Sequence, residues 1–487
     1  MSKFSEKLKL HIEVSGIKIY QLAKNSELDR TTIQRSITGE RLPSLNFVEK
    51  LSNYLRLSSS EKAELFEFYS ISKIGEKVYE ARKYIKEMIE GLATIHNVKD
   101  NTFGTQKNVS FSGKINVDNT VFTGQYIVSN IIRNVLEDEV INNKSPEISL
   151  SVPFSYSFLF DLLYQFYLVK NGKITIKNII RLNKNPHALQ NSNYNLEILS
   201  HVMPLAFSAG NGYQPYYYYD NFDASTDIAL LMPYYIITSK RLITLSSDFK
   251  TLILYNNKGI VNTYKENFNS SIAKSSPLIA EHFKCDDMLQ AYLESCKNLG
   301  VTSHVIEPQP CFAWYYTEDL IKSHLRLDLE NREMILALLY SFYGKYRDFN
   351  KRPVSIFSVE GMTDFITTGI LSDLPPQFAI PFTLKERIML LTKLKNDIAN
   401  NEYQVYASNS SKFIIPLCTI QLYNTNGLDF FATDNNGIIS SAYIEEKSIA
   451  EAFYDFFESL PCSDLVYDKE ETLKIIDGFI EQLRENK

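Results

Sequence analysis

Between positions 27 and 44 the chain reads ELDRTTIQRSITGERLPS, and Arg30, Thr31, Thr32, Gln34 and Arg35 crowd one short stretch of it. Each side chain suits the edge of a nucleobase or a phosphate. A guanidinium offers a planar fork to guanine or phosphate, a carboxamide matches adenine, and threonine meets a thymine methyl or a phosphate. Lys18, Tyr20 and Arg41 flank the stretch where a helix end and a loop would meet a phosphate backbone.

Such side chains act together only if an element holds them on one face. Leu28, Ile33 and Ile37 recur at helical spacing, so one side of a helix can bury while the polar set stays outward. Asp29 is a good N-cap for that helix, and Gly39 is its expected stop. Around it, short helices joined by tight turns are predicted over the first 70 or so residues. Phe4, Leu8 and Ile12 mark the first, which ends at Gly16. Leu22 and Ala23 face inward on the second, where small Ala23 permits close packing. Pro43 and Ser44 announce a fourth with Phe47, Val48, Leu51 and Leu55 inside, and Ser58 with Glu61 has capping-box spacing for a fifth.

The segment IKIYQLAKNSELDRTTIQRSITGERLPSLNFVEKLSNYLRLSSSE resembles the XRE family of helix-turn-helix domains, of the Cro and phage-repressor type. The matching marks are Leu22-Ala23, the helix ending in Gly39, the basic residue and Pro-Ser at 41–44, and the LxxxL helix that follows. The resemblance covers about 65 residues and implies a five-helix bundle that binds operator DNA as a dimer. Two positions depart from the pattern. Glu27 stands at a turn position where glycine is common, and Ile19 stands where a polar residue, often Gln, usually opens the first motif helix.

Composition bounds the rest. The chain has 487 residues, 44% hydrophobic and 22% charged, which is globular and long enough for two to four domains. No apolar run reaches the roughly 20 residues that cross a bilayer. The start MSKFSEKLKL has no continuous hydrophobic segment, so a soluble, cytoplasmic protein is expected without contact to membrane. The five cysteines, Cys285, Cys296, Cys311, Cys418 and Cys462, form no CxxC pair, which argues against a disulfide framework or a structural zinc site. Net charge is −6, but its distribution is uneven: residues 1–56 hold ten Lys/Arg and six Asp/Glu, and the remainder holds 41 and 51. The basic surface therefore falls on the segment with the polar helix.

Beyond it, Ile74, Val78, Ala81, Ile85, Met88, Leu92 and Ile95 alternate in steps of four and three, a heptad seam that would serve a dimerising helix. Residues 97–120 are polar and read as a linker with a strand near 114–118. After them the texture is mixed α/β. Strands are expected at 147–154 and 173–182, successive strands at 229–255, and further strands at 354–359, 402–408, 416–423 and 428–433. Helices are expected at 155–172, 195–207, 286–299, 360–369, 384–399 and about 446–460. LYNNKGIVNTYKENFNSSI at 254–272 echoes DNNGIISSAYIEEKSIAEAFYDFF at 434–457, each read as an Asn/Gly turn, a strand and a helix, which suggests a duplication. The expected organisation is multidomain: an all-α helix-turn-helix bundle over 1–72, a connecting helix over 73–96, a linker and entry over 97–144, and two similar α/β units over 145–300 and 301–487.

Motifs of catalysis are missing from this large part: no Walker loop, no GxGxxG after a strand, no HExxH and no GxSxG. His187, His201, His282, His304 and His324 are scattered. The layout of strands and helices resembles phospholipase D-like domains, whose catalytic signature is HxK followed by Asp. Here His282 and Lys284 are followed by Leu289 at the Asp position, so no activity carries over. Glu360, Arg387 and a Tyr-rich loop at 213–223 are the residues that would line a pocket. The expected function is a dimeric transcriptional regulator without cofactor or metal, which reads double-stranded operator DNA and senses a small-molecule or peptide effector. The other readings are an enzyme or defence effector with an appended DNA-binding domain, and a regulator built from helical repeats, against which the strand-rich runs count.

Overall fold

A computed structural model of the chain describes residues 2–98, 120–169, 173–184, 193–209, 212–220, 231–278, 280–282, 301–348, 352–372, 376, 378–433 and 439–485. It comprises two compact units, Met1–Lys83 and Tyr84–Lys487. The first is helical, and the second is mixed α/β with two sheets.

The first unit contains five whole helices, α1 Lys3–Ser15, α2 Ile19–Ser26, α3 Arg30–Thr38, α4 Leu45–Tyr54 and α5 Ser59–Ile74, and the start of a sixth. Local chemistry sets their ends as expected. The Ser58 hydroxyl accepts from the Glu61 amide at 3.3 Å while the Glu61 carboxylate accepts from the Ser58 amide at 2.8 Å, a reciprocal capping box. Phe4, Leu22, Ile33, Leu51 and Leu65 are all fully buried and form one core with Leu8, Ile12 and Val48. Each contributes roughly 1.5–3 kcal/mol by leaving water.

The helix expected over 73–96 is broken. Gly75 has φ 90° and ψ 145°, a backbone shape that side-chain-bearing residues rarely adopt, so α5 stops at Ile74 and α6 runs from Glu76 to Val98. The seam is thereby split between two helices. Its residues are also covered within a single chain: Ala81, Ile85, Met88 and Leu92 are buried, Ile74 and Val78 half-buried. They offer little surface to a second copy. Met88→Ala is expected to destabilise the chain by about 3 kcal/mol in denaturant titration, as a buried methionine does. A pure dimer-seam residue would leave the monomer's stability unchanged.

In the second unit, β1 Thr120–Thr123 and α7 Gln125–Asn142 precede β2 Glu147–Ser151, α8 Ser157–Val169, β3 Thr175–Asn183, α9 Tyr194–Ala209 and β4 Tyr213–Asp220. Then come β5 Tyr234–Ile237, β6 Leu242–Leu245, β7 Thr251–Tyr255, α10 Lys258–Ile272 and β8 Ser276–Pro277. The strands form one sheet in the order β1-β7-β6-β5-β2-β3-β4-β8. Next follow β9 Ala280–His282, β10 His304–Glu307, α11 Glu318–His324, α12 Arg332–Asp348, β11 Val354–Phe357, α13 Val359–Thr368, α14 Leu384–Ala399 and β12 Val405–Ala407. The chain closes with β13 Cys418–Leu422, β14 Leu428–Thr433, β15 Ile439–Ile444, α15 Lys447–Ser459 and α16 Lys469–Glu485. The second sheet has the order β12-β11-β10-β13-β14-β15-β9.

The two sheets repeat one plan. β2, β3 and β4 are parallel neighbours, and an antiparallel meander β5-β6-β7 lies on the other side of β2. β10, β11 and β12 are likewise parallel, with the meander β13-β14-β15 beside β10. β1 pairs with the last meander strand of the first sheet, as β9 does in the second. A helix then follows each meander. The first sheet thus begins at Thr120, ahead of the boundary at 145, and the second takes β9 from before 301.

This plan changes the register of the sequence echo. Asn256 and Asn257 are not a hairpin turn. Asn257 caps α10, accepting from the amides of Gly259 and Ile260, while Glu446 caps α15, accepting from those of Ser448 and Ile449. Each cap sits two residues after its strand. NKGIVNTYKENF at 257–268 therefore matches EKSIAEAFYDFF at 446–457, with Phe268 and Phe457 buried at equivalent turns. The helix expected at 286–299 and the strand near 114–118 lie outside the described residues.

Candidate nucleic-acid interface

The connection from α2 to α3 is three residues long. Glu27 adopts the left-handed conformation, φ 59° and ψ 28°, and its amide and that of Leu28 both donate to the Ala23 carbonyl. Asp29 then caps α3: its carboxylate accepts from the Thr32 amide and the Thr32 hydroxyl, each at 2.6 Å. These bonds, the hydroxyl's first, hold the Asp29 carboxyl below its ordinary range, so it is an anion at neutral pH. Since non-glycine residues in the left-handed region are strained, Glu27→Gly is expected to stabilise the bundle by about 1 kcal/mol. Thermal unfolding of the full chain measures it, and a lower midpoint would contradict the strain.

α3 packs on α1 and α2. Ile33 and Ser36 are fully buried, and the Ser36 hydroxyl donates to the Thr32 carbonyl at 2.7 Å. Arg30, Thr31, Gln34 and Arg35 are exposed, as are Lys18, Tyr20 and Arg41. Thr32 differs from the rest of that set: it is half-buried, and its hydroxyl proton is engaged by Asp29. Two further exposed polar residues of these helices escape a reading by residue type alone, Gln21 on α2 and Thr38 at the end of α3. Thr38 follows Gln34 by four residues, so helical periodicity places it on the same face.

The exit from α3 is well held. Gly39 caps it with φ 81°, and the amides of Glu40 and Arg41 both donate to the Arg35 carbonyl, at 2.9 and 3.2 Å. The Glu40 carboxylate lies 4.0 Å from the Arg35 guanidinium, a loose exposed pair. Behind the loop, the buried Tyr69 hydroxyl donates to the Pro43 carbonyl at 2.9 Å, and its ring meets Phe4 edge-on. Arg30, Arg35 and Arg41 thus project from a fixed backbone, with Glu27, Asp29 and Glu40 as the acidic neighbours in sequence.

The second unit's sequence-selected residues do not converge. Glu360 is exposed at the start of α13. Arg387, on α14, donates to the Ile366 carbonyl at the other end of α13. The Tyr-rich stretch is not a loop through residue 220: it is β4, paired along its length with β3, because aromatic side chains fit a pleated, half-buried surface. Residues 221–223 lie outside the described residues, as do His187, Lys284, Cys285, Leu289 and Cys296. His201 holds the Glu197 carbonyl at 2.8 Å, and His304 lies 3.4 Å from the Glu458 carboxylate. His324 lies between the Ile380 carbonyl at 3.1 Å and the Glu386 carboxylate at 3.2 Å, beside an apolar cleft lined by Tyr316, Leu339, Tyr343 and Phe382. Arg352 pairs with Asp397 amid the rings of Trp314, Tyr315 and Tyr403. Apart from that of His201, which stays within α9, these contacts join elements of the fold. Among the described residues, no group of three or more His, Cys, Asp or Glu is placed to hold a metal ion, and no helix is long and apolar enough to cross a membrane.

No protein-family model matches the sequence, and no curated protein matches it. Among solved structures, TrmBL2, described as an archaeal chromatin protein with a novel mode of DNA binding, is similar over 57% of this chain and 94% of its own, at 12% identity and a TM-score of 0.22. Polyphosphate kinase from Porphyromonas gingivalis is similar over 77% of this chain and 57% of its own, at 10% identity and a TM-score of 0.23. Superpositions at this level assign neither a fold nor a role.

Proposed function

We propose that this protein is a cytoplasmic, sequence-specific DNA-binding transcriptional regulator that acts by binding rather than by catalysis. The observation that carries the reading is the outward face of α3. It bears Arg30, Thr31, Gln34 and Arg35 without an acidic side chain in the helix, held by buried Ile33 and Ser36. A helix of 10–12 Å diameter fits the major groove, and these groups match what the groove presents. In this reading the duplicated α/β region senses a small-molecule or peptide effector, or pairs two copies on a surface other than the covered heptad seam.

Titrating the full chain with mixed-sequence duplex DNA tests the reading. Binding should weaken by one or more orders of magnitude between about 50 and 200 mM salt, as phosphate contacts are exchanged for counterions. No binding at the lower salt would overturn it.

A further inference from the structure

Resting on the regulator reading, we infer a division of labour on α3: Arg30 and Arg35 clamp phosphates on opposite walls of the groove, while Gln34 and Thr31 read adenine–thymine pairs on its floor. Successive helical residues are about 100° apart around the axis, so Arg30 and Arg35 lie about 140° apart. Thr31, Gln34 and Thr38 fall within the sector between them. Fully buried Ser36 lies opposite the middle of that sector, which therefore points directly away from the bundle.

A helix inserted with this sector foremost sends its flanks toward the two sugar–phosphate walls and its centre toward the base edges. The long, charged guanidiniums stand on the flanks, and the short or neutral groups stand at the centre. Gln34 can pair its amide with adenine, and the Thr31 methyl can meet a thymine methyl. The Thr38 hydroxyl donates to the Arg35 carbonyl at 3.1 Å, which leaves it a methyl and lone pairs for the same floor. Thr32 takes no part, since its hydroxyl serves the Asp29 cap.

The test uses the full chain and a duplex recovered by selection, with single A·T to G·C exchanges in its recognised positions. Arg30→Ala and Arg35→Ala should each lower affinity about tenfold for every duplex and reduce the salt slope by about one. Arg35→Lys should restore slope and affinity, because a phosphate accepts either cation. Gln34→Ala should leave the slope unchanged and abolish discrimination at one A·T pair. If an arginine variant instead loses discrimination at one base pair with its slope intact, and lysine fails to rescue it, the assignment is overturned while the regulator reading stands. If the wild-type chain binds no duplex, both are overturned.

Discussion

Replacing Arg30 and Arg35 together by alanine is expected to lower affinity for the preferred duplex about 100-fold, close to 3 kcal/mol, without changing the fold. Both side chains are exposed. Neither holds α3 in place: that is done by Ile33, Ser36 and the Asp29 cap. The nearby carboxylate of Glu40 is only a loose partner for Arg35, so little stability is lost with the guanidinium. In the proposed reading, what is lost is the pair of cations that would fix the helix between two phosphate walls. Fluorescence anisotropy at fixed salt measures the effect, with circular dichroism to show intact helices. An unchanged affinity would remove the arginines from the interface.

Gly361→Ala is expected to destabilise the second unit by about 3 kcal/mol, seen as a lower unfolding midpoint. A Cβ at Gly361 would lie 2.3 Å from the Pro308 carbonyl oxygen and 2.8 Å from its carbon. Both are backbone atoms, so no side chain can rotate away, and overpacking of this kind is destabilising. The approach is held from several sides. The Gly361 amide donates to the Ser358 hydroxyl at 2.7 Å, and its carbonyl accepts from the Gln309 amide at 2.9 Å. Gln309 in turn accepts from the Ser372 amide and hydroxyl, at 3.0 and 2.8 Å. A methyl group must separate α13 from the loop after β10 and break part of this network. A midpoint equal to wild type would mean that the loop yields freely.

How much of this was legible in the sequence depended on the range of the interaction. Caps, stops and the five-helix bundle rest on contacts between near neighbours, and Asp29, Gly39, Ser44 and Ser58 announced them correctly. The break at Gly75 was hidden because heptad spacing continues across it, and periodicity does not report backbone shape. Burial of Ile85, Met88 and Leu92 within one chain was equally hidden, since an apolar stripe says only that something covers it. The repeated strand plan leaves a local echo in the sequence but in a shifted register, because Asn-Asn before Lys258 reads as a turn as readily as a helix cap. Strand order settled it, and strand order is non-local. α7, α11, α12 and α16 lie outside the helices expected from the sequence, since none of them flanks a motif. On α3, the exposed residues follow from type and period. The engagement of Thr32 by Asp29 became visible only once the cap geometry was known.

The central claim is that this chain reads duplex DNA through the outer face of α3, and selection from a random-sequence duplex library with the full chain tests it most directly. The wild type should enrich one recurring motif, and the Arg30→Ala, Gln34→Ala, Arg35→Ala triple variant, folded to the same extent, should enrich none. Equal enrichment of the same motif by both proteins would contradict it.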